Sequence, residues 1–177
     1  MKRILLFIAM LSSVAAIAQL KRSPSDKESN VHFVIKNFGI NTGGDLKGVR
    51  GDIVFDKDKL ASSYVDVQVD VSTIDTDNKR RDAHLVSDEY FDAAKYPNIH
   101  IVGKPVAGDK VNEYLLNAKL TIKNVTRKVS IPFTATPDGT GFLFKAVFEI
   151  NRKDFKVGSN SAVLSDNVKV MLNIVAR

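Results

Sequence analysis

Four valines, Val65, Val67, Val69 and Val71, stand at alternate positions with Asp66, Gln68 and Asp70 between them. An extended chain sends successive side chains to opposite faces, so this run predicts a strand with one apolar and one polar side. The same period returns along the chain: Val31, Phe33 and Ile35 against His32 and Lys36, then Val49, Gly51, Ile53 and Phe55 against Arg50 and Asp52. After position 97 come Ile99, Ile101 and Gly103, then Tyr114 to Ile122, Val129 to Ala135, Phe142 to Ile150 and Val168 to Ala176, each alternating. Turn-forming groups separate several of these runs, among them Asn41-Thr42-Gly43-Gly44-Asp45, Asp56 to Lys59 and Pro137-Asp138-Gly139. The chain predicts an all-β protein of eight strands.

One long stretch breaks the alternation. From Asp75 to Pro97, Ala83, Val86, Tyr90 and Ala94 recur at spacings of three and four, which puts them on one stripe of a helix or of two short helices in succession. Asp75, Thr76 and Asp77 offer oxygens to its first N–H groups, and Pro97 ends it. A helical insert therefore lies between strands 3 and 4, and gating is expected there.

Strands with one apolar face each either pack sheet on sheet or curl into a barrel. Hairpin-length connections between most neighbours favour sequential antiparallel pairing, and closure removes exposed edges, so the barrel is preferred. Its inward set is almost purely Val, Ile, Leu and Phe. Taken alone this reads first as a packed core. Gly51, Gly103, Ala118 and Ala146 fall on the inward register, however, and remove volume there. An apolar cavity stays dry and suits a hydrocarbon.

At 177 residues the chain supports one domain. Lys2 and Arg3, the apolar run Ile4 to Val14 and the small-residue site Ala16-Ile17-Ala18 have the form of a signal peptide cut after Ala18, spanning residues 1–18. Residues 19–30 are polar and aperiodic and read as a flexible N-terminus before a barrel domain at 31–177. The expected location is periplasmic or secreted, with no stable membrane insertion because the apolar run is short. There is no cysteine, so neither a disulfide nor a Cys-linked lipid contributes. The formal charge of +6 includes Lys2 and Arg3, and the remaining basic residues are interleaved with acidic ones, which argues against nucleic-acid binding.

Catalytic signatures are missing. The three histidines show no zinc-like spacing, and there is no H-E-x-x-H, G-x-S-x-G or phosphate-cradling glycine pattern, so no catalytic residue, metal or cofactor is assigned. His32 and His100 fall on outward faces. Asp82 and His84 read as a pair fixing the insert to the barrel rim, with a head-group contact or a hydrolytic role as sharper alternatives. Arg152 reads as a rim salt bridge or, alternatively, a head-group donor.

Three segments carry a family resemblance. Arg81-Asp82-Ala83-His84-Leu85 with Tyr90-Phe91-Asp92 and Lys95-Tyr96-Pro97 resembles the hallmark of the YceI-like polyisoprenoid-binding proteins. Leu120 to Thr126 is similar to that family's L-T-I-x-G-V-T turn, and Asn151 to Phe155 to its R-x-D-F-G segment, with departures at Asn124 and Lys156, where glycine is favoured. The likeness runs from Val31 to Val175. It implies a lipocalin-like antiparallel barrel that sequesters or carries a long apolar ligand: a polyisoprenoid, an isoprenoid quinone or another amphiphilic lipid.

On that reading the lining comprises Phe33, Ile35, Phe55, Val67, Val69 and Ile101 from the first half of the barrel. Leu116, Ala118, Leu120, Phe142, Phe144 and Phe148 come from the second half, Leu85 and Phe91 from the insert, and His84 and Arg152 from the mouth. Burial alone would hold such a ligand, since a prenyl unit offers about 3–4 kcal/mol of transfer free energy before ordering costs. The alternative is a solid-core structural or stress-related interaction module without lipid. Pairing of barrels into a homodimer is left open.

Overall fold

The computed structural model describes residues 20–177, and the signal-peptide reading lies outside them. The strands are β1 (Lys21–Arg22), β2 (Asn30–Asn37), β3 (Ile40–Val54), β4 (Tyr64–Asp75), β5 (Asn98–Ala107), β6 (Glu113–Ile122), β7 (Val125–Asp138), β8 (Gly141–Asn151) and β9 (Leu164–Ala176). Among the described residues the one α-helix, α1, is Lys79–Leu85, and 3-10 turns stand at Leu60–Ser62 and Arg152–Phe155. Pairing runs β3-β2-β9-β8-β7-β6-β5-β4, and β4 pairs back onto β3, so β2 to β9 form a closed eight-stranded antiparallel barrel. Closure pairs every barrel strand with two neighbours, which removes most of the exposed edge; β7 and β8 pair only through Phe133–Asp138 and Gly141–Ala146, and diverge beyond.

Closure depends on β3. It pairs with β2 through Ile40 to Leu46 and with β4 through Asp45 to Val54, with register shifts between Asp45 and Lys47 and between Lys47 and Arg50. Bulges bend a strand and raise its twist, which lets one strand serve both neighbours at the seam. At Gly51, φ is 129° and an added Cβ would stand 2.2 Å from the Asp66 carbonyl oxygen. Glycine is required there by contact with β4, not by a void.

Several sequence expectations need correction. The Asn41-Thr42-Gly43-Gly44-Asp45 segment is no turn: it lies inside β3, and the chain reverses at Phe38-Gly39, both at positive φ. Gly44 is small because a Cβ would meet Thr76 at 2.6 Å and the Phe33 ring at 2.8 Å. Pro137 and Asp138 belong to β7, and the reversal falls on Gly139-Thr140. Residues 21–30 are not a loose tail. Lys21 and Arg22 pair with Val54 and Ile53. Asp26 accepts from the Val49 N–H at 2.8 Å, and buried Ser29 accepts from the Val175 N–H at 3.1 Å. The segment's polar side chains satisfy backbone groups at the barrel wall, a role that leaves no hydrophobic period to read.

The insert is also smaller than expected. β4 runs on to Asp75, α1 has two turns with Asn78 as its N-cap, accepting from the Arg81 N–H, and turns follow to Pro97. Ser87 Oγ donates to the His84 carbonyl at 2.7 Å and the Phe91 N–H to the Leu85 carbonyl at 3.1 Å, so the chain doubles back. Consequently Ala83 and Ala94 face solvent, while Leu85, Val86 and Phe91 pack against the core.

Candidate functional site

The barrel is solid at one end and hollow at the other. Phe55 meets Tyr114, Phe142 and Phe144 edge-on at centroid distances of 5.0, 5.1 and 5.4 Å, and Tyr114 stacks on Phe133 at 5.3 Å. Such pairs contribute about 0.5–1.5 kcal/mol each beyond burial. Arg22 covers this cluster, its guanidinium 5.0 Å from the Phe142 centroid. Above it Leu116, Ala118, Ile131 and Ala146 pack together, and a Cβ on Gly103 would lie 2.5 Å from that of Ala118. The small residues admit close approach of strands there. They create no space.

Beyond them, towards the insert, lies a cavity of about 440 Å³. Its volume is in the range of small-molecule sites. Phe33, Ile35, Val67, Val69, Ile101, Leu120 and Phe148 line its wall, as expected. Leu85 and Phe91 reach it from the insert, and His84 and Arg152 stand on its lining at the mouth. Phe55, Leu116, Ala118, Phe142 and Phe144 do not line it; they belong to the solid half. Strand period reports which way a side chain points, not whether another meets it across the axis.

Residues outside the expected set complete the wall: Val168, Val170 and Leu172 of β9, Val157, Ser161 and Val163 of the β8–β9 connection, and Tyr90 and Arg81 of the insert. The β9 residues carried the inward period, but 157–163 has no period at all. Val157 and Phe155 are buried with Leu120 and Ile122, and Tyr90 and Phe91 rest on them. The insert is fastened to that connection by the Gly158 N–H donating to the Glu89 carbonyl at 3.2 Å.

Arg152 is 4 % exposed, so the salt bridge expected at the barrel end, which it makes with Asp166, starts from a buried guanidinium and not from a solvent-exposed one. Its Nε donates to the Ser165 carbonyl at 3.0 Å, Nη1 to the Val157 and Ser159 carbonyls at 2.9 Å each, and Nη2 to Asp166 Oδ1 at 3.1 Å. Its donors are committed to shaping the connection. Just beyond it, Lys156 sits at φ 56°, ψ 38°. This is the position where glycine is favoured, and the left-handed conformation disfavours a residue with a Cβ. Lys156→Gly is therefore expected to stabilise the protein by about 0.5–1 kcal/mol, read as a rise in Tm of about 1–4 °C by calorimetry. At the other departure Lys123 takes the positive φ, not Asn124.

Asp82 and His84 are not a pair. Asp82 Oδ1 accepts from the Thr76 N–H at 2.9 Å and the Thr76 hydroxyl at 2.6 Å, while His84 Nε2 lies 2.8 Å from Glu89 Oε2. Arg81 completes a clamp on Thr76, donating from Nε to its hydroxyl at 2.8 Å and from Nη2 to its carbonyl at 2.5 Å. The Thr76 hydroxyl bond, first among the causes, holds the Asp82 carboxyl below its ordinary range, with Lys79 adding to the effect. A lowered carboxylate pKa stabilises the fold above the unfolded-state value and loses that contribution as pH falls through the folded one. Wild type and Asp82→Asn should therefore differ in Tm at neutral pH and converge as the pH falls below about 4. His32 and His100 do face outward, each held to an aspartate, Asp45 at 2.8 Å and Asp66 at 2.7 Å.

Most polar groups on the cavity are gathered at one end. Thr76, Arg81 and His84 stand there beside Asn37, Thr42, Arg152 and Ser161, and the rest of the wall is aliphatic and aromatic except for Gln68 of β4. Such a site takes an amphiphile by one end: an apolar body inward and a polar head at the clamp.

Residues 24–176 match the family model described as the YceI-like domain. Protein YceI of Escherichia coli O157:H7 is 26 % identical over 173 residues, covering 93 % of this chain and 90 % of that one. The crystal structure of BcnA from Burkholderia cenocepacia superposes with a TM-score of 0.82 at 28 % identity, over 87 % of this chain and 99 % of that one. A polyisoprenoid binding domain from Saccharophagus degradans, implicated in plant cell wall breakdown, shares the fold with a TM-score of 0.72 at 14 % identity, over 88 % and 97 %.

Proposed function

Because the chain belongs to the YceI-like family, we propose that it carries one long apolar lipid of the polyisoprenoid class in the barrel, tail inward and head group at the Thr76-Arg81-His84 end. The observation that carries this reading is the cavity itself, apolar along its depth but for Gln68 and with most of its polar groups at its mouth. The polyisoprenoid-binding domain with the same fold supports the ligand class.

The solid half gives the carrier a blind end. Affinity then climbs by about 3–4 kcal/mol of gross transfer free energy for each prenyl unit that finds lumen, and stops climbing once the tail meets the packed half. The work is sequestration, with opening of the insert setting the exchange rate. Export belongs to the reading as well: the leader ending Ala16-Ile17-Ala18 supports it, and an intact mass beginning at Gln19 in material recovered outside the cytoplasm tests it.

Organic extraction of the purified protein followed by mass spectrometry tests the carrier role. A stoichiometric prenyl lipid, or saturable uptake of added prenyl alcohols with affinity rising and then levelling with chain length, is the expected result. A clean extract together with no uptake at any chain length overturns it in favour of a lipid-free module.

A further inference from the structure

The hairpin between β2 and β3 ends in a residue that is unfavourable twice over. Phe38 sits at φ 51° with 73 % of its surface in water, although the left-handed region is rare for bulky side chains and a type I′ position usually holds Asn, Asp or Gly. Next to it, Ile40 is 70 % exposed. Ile40 pairs with Asn37, which lines the cavity, and cross-strand partners share a face, so Ile40 continues the inward register past the point where the barrel stops. The Phe38 N–H donates to the Val163 carbonyl at 2.9 Å, and Val163, 40 % exposed, itself lines the cavity. Three large apolar side chains therefore form a lip on the mouth, continuous with the lumen.

From this we infer that the lip, Phe38, Ile40 and Val163, enters the interfacial layer of a lipid bilayer and seats the cavity mouth on the membrane, so that a tail passes between bilayer and barrel without crossing water. The inference rests on the carrier reading. Strain and exposure concentrated on one aromatic residue at a functional opening mark a place where the free chain is not in its working surroundings. A bilayer is the occupant this geometry fits. The lip offers three exposed apolar side chains, enough to enter the headgroup layer, whereas a stable protein partner would need a broad complementary face. Phe38 is bonded to Val163 of the cavity lining, so the lip stands where the lumen opens towards a membrane surface. The contact is peripheral and uses no membrane-spanning segment.

The test exploits the absence of tryptophan from the chain. Phe38→Trp makes the lip the sole indole, and vesicles of phosphatidylethanolamine and phosphatidylglycerol should shift its emission to the blue. Phe38→Asn with Ile40→Ser, which keeps the turn residue compatible with positive φ, should lower vesicle co-sedimentation by about tenfold or more and slow transfer of a dansyl-labelled prenyl alcohol from vesicles in proportion. Uptake of the same probe delivered from ethanol should be unchanged, which separates the lip from the cavity. An emission that ignores vesicles, or a transfer rate untouched by the double substitution while uptake from ethanol persists, overturns the inference alone. Loss of a dimer on the same substitution, without vesicle binding by the wild type, assigns the lip to a second copy and overturns it too. Failure of ethanol-delivered uptake in the wild type overturns the carrier reading instead.

Discussion

Val170→Trp is expected to leave a folded barrel that no longer takes up prenyl lipid. Val170 lines the cavity from β9, paired with Phe33 on one side and Phe148 on the other, both also on the wall. An indole at this position projects into space the ligand tail would occupy, and the expected loss of affinity is about a hundredfold or more. Stability should hold within about 1 kcal/mol or improve, because filling a void restores contacts that its lining lacks. The contrast is Ala118→Leu in the packed half, where the added carbons meet Gly103 and the neighbouring strands. Overpacking there should cost about 1–3 kcal/mol while leaving uptake nearly intact. Calorimetry and a fluorescent prenyl titration on both variants read the difference. If Ala118→Leu abolished uptake and Val170→Trp did not, the cavity would have been placed in the wrong half.

Arg152→Ala carries the largest expected effect on stability. The guanidinium is buried and donates to three carbonyls and to Asp166, so its loss leaves the Val157, Ser159 and Ser165 carbonyls without their donor. Removing one partner from a buried charged network costs about 3–5 kcal/mol, which in a chain of this length lowers Tm by on the order of 10 °C. The connection it shapes also supplies Val157, Ser161 and Val163 to the cavity, so lipid affinity should fall with the fold's stability. Arg152→Lys should recover only part, because one ammonium cannot reach acceptors spread around a planar fork. Denaturant titration with a loss below about 1 kcal/mol would show that the network contributes little.

Most of the cavity wall was readable from residue order. Phe33, Ile35, Val67, Val69, Ile101, Leu120 and Phe148 were expected inward and line it. The five expected residues that fall elsewhere, Phe55, Leu116, Ala118, Phe142 and Phe144, point inward as well, but into the packed half. The inference from small residues failed for a related reason. Gly51 and Gly103 are small because a neighbouring backbone or Ala118 presses on them, so they mark close approach, not vacancy. The β8–β9 connection escaped notice because its order comes from Arg152 binding carbonyls, and backbone acceptors have no signature in the side-chain sequence. The insert was legible in place but not in form: its length suits a long helix, yet Asp82 bonds back to Thr76 and the chain reverses after Leu85.

What residue order settled was direction: a period of two in eight runs assigns each side chain to the inside or the outside, and eight amphipathic strands without a sacrificial edge close on themselves. What it left open was distance. Whether opposed inward groups touch depends on how strands from far apart in the chain face each other at a given height, and on which segment covers the end. Only the closed barrel fixes those separations, so only the tertiary structure divides one uniform apolar lining into an aromatic plug below and a tail-sized chamber above.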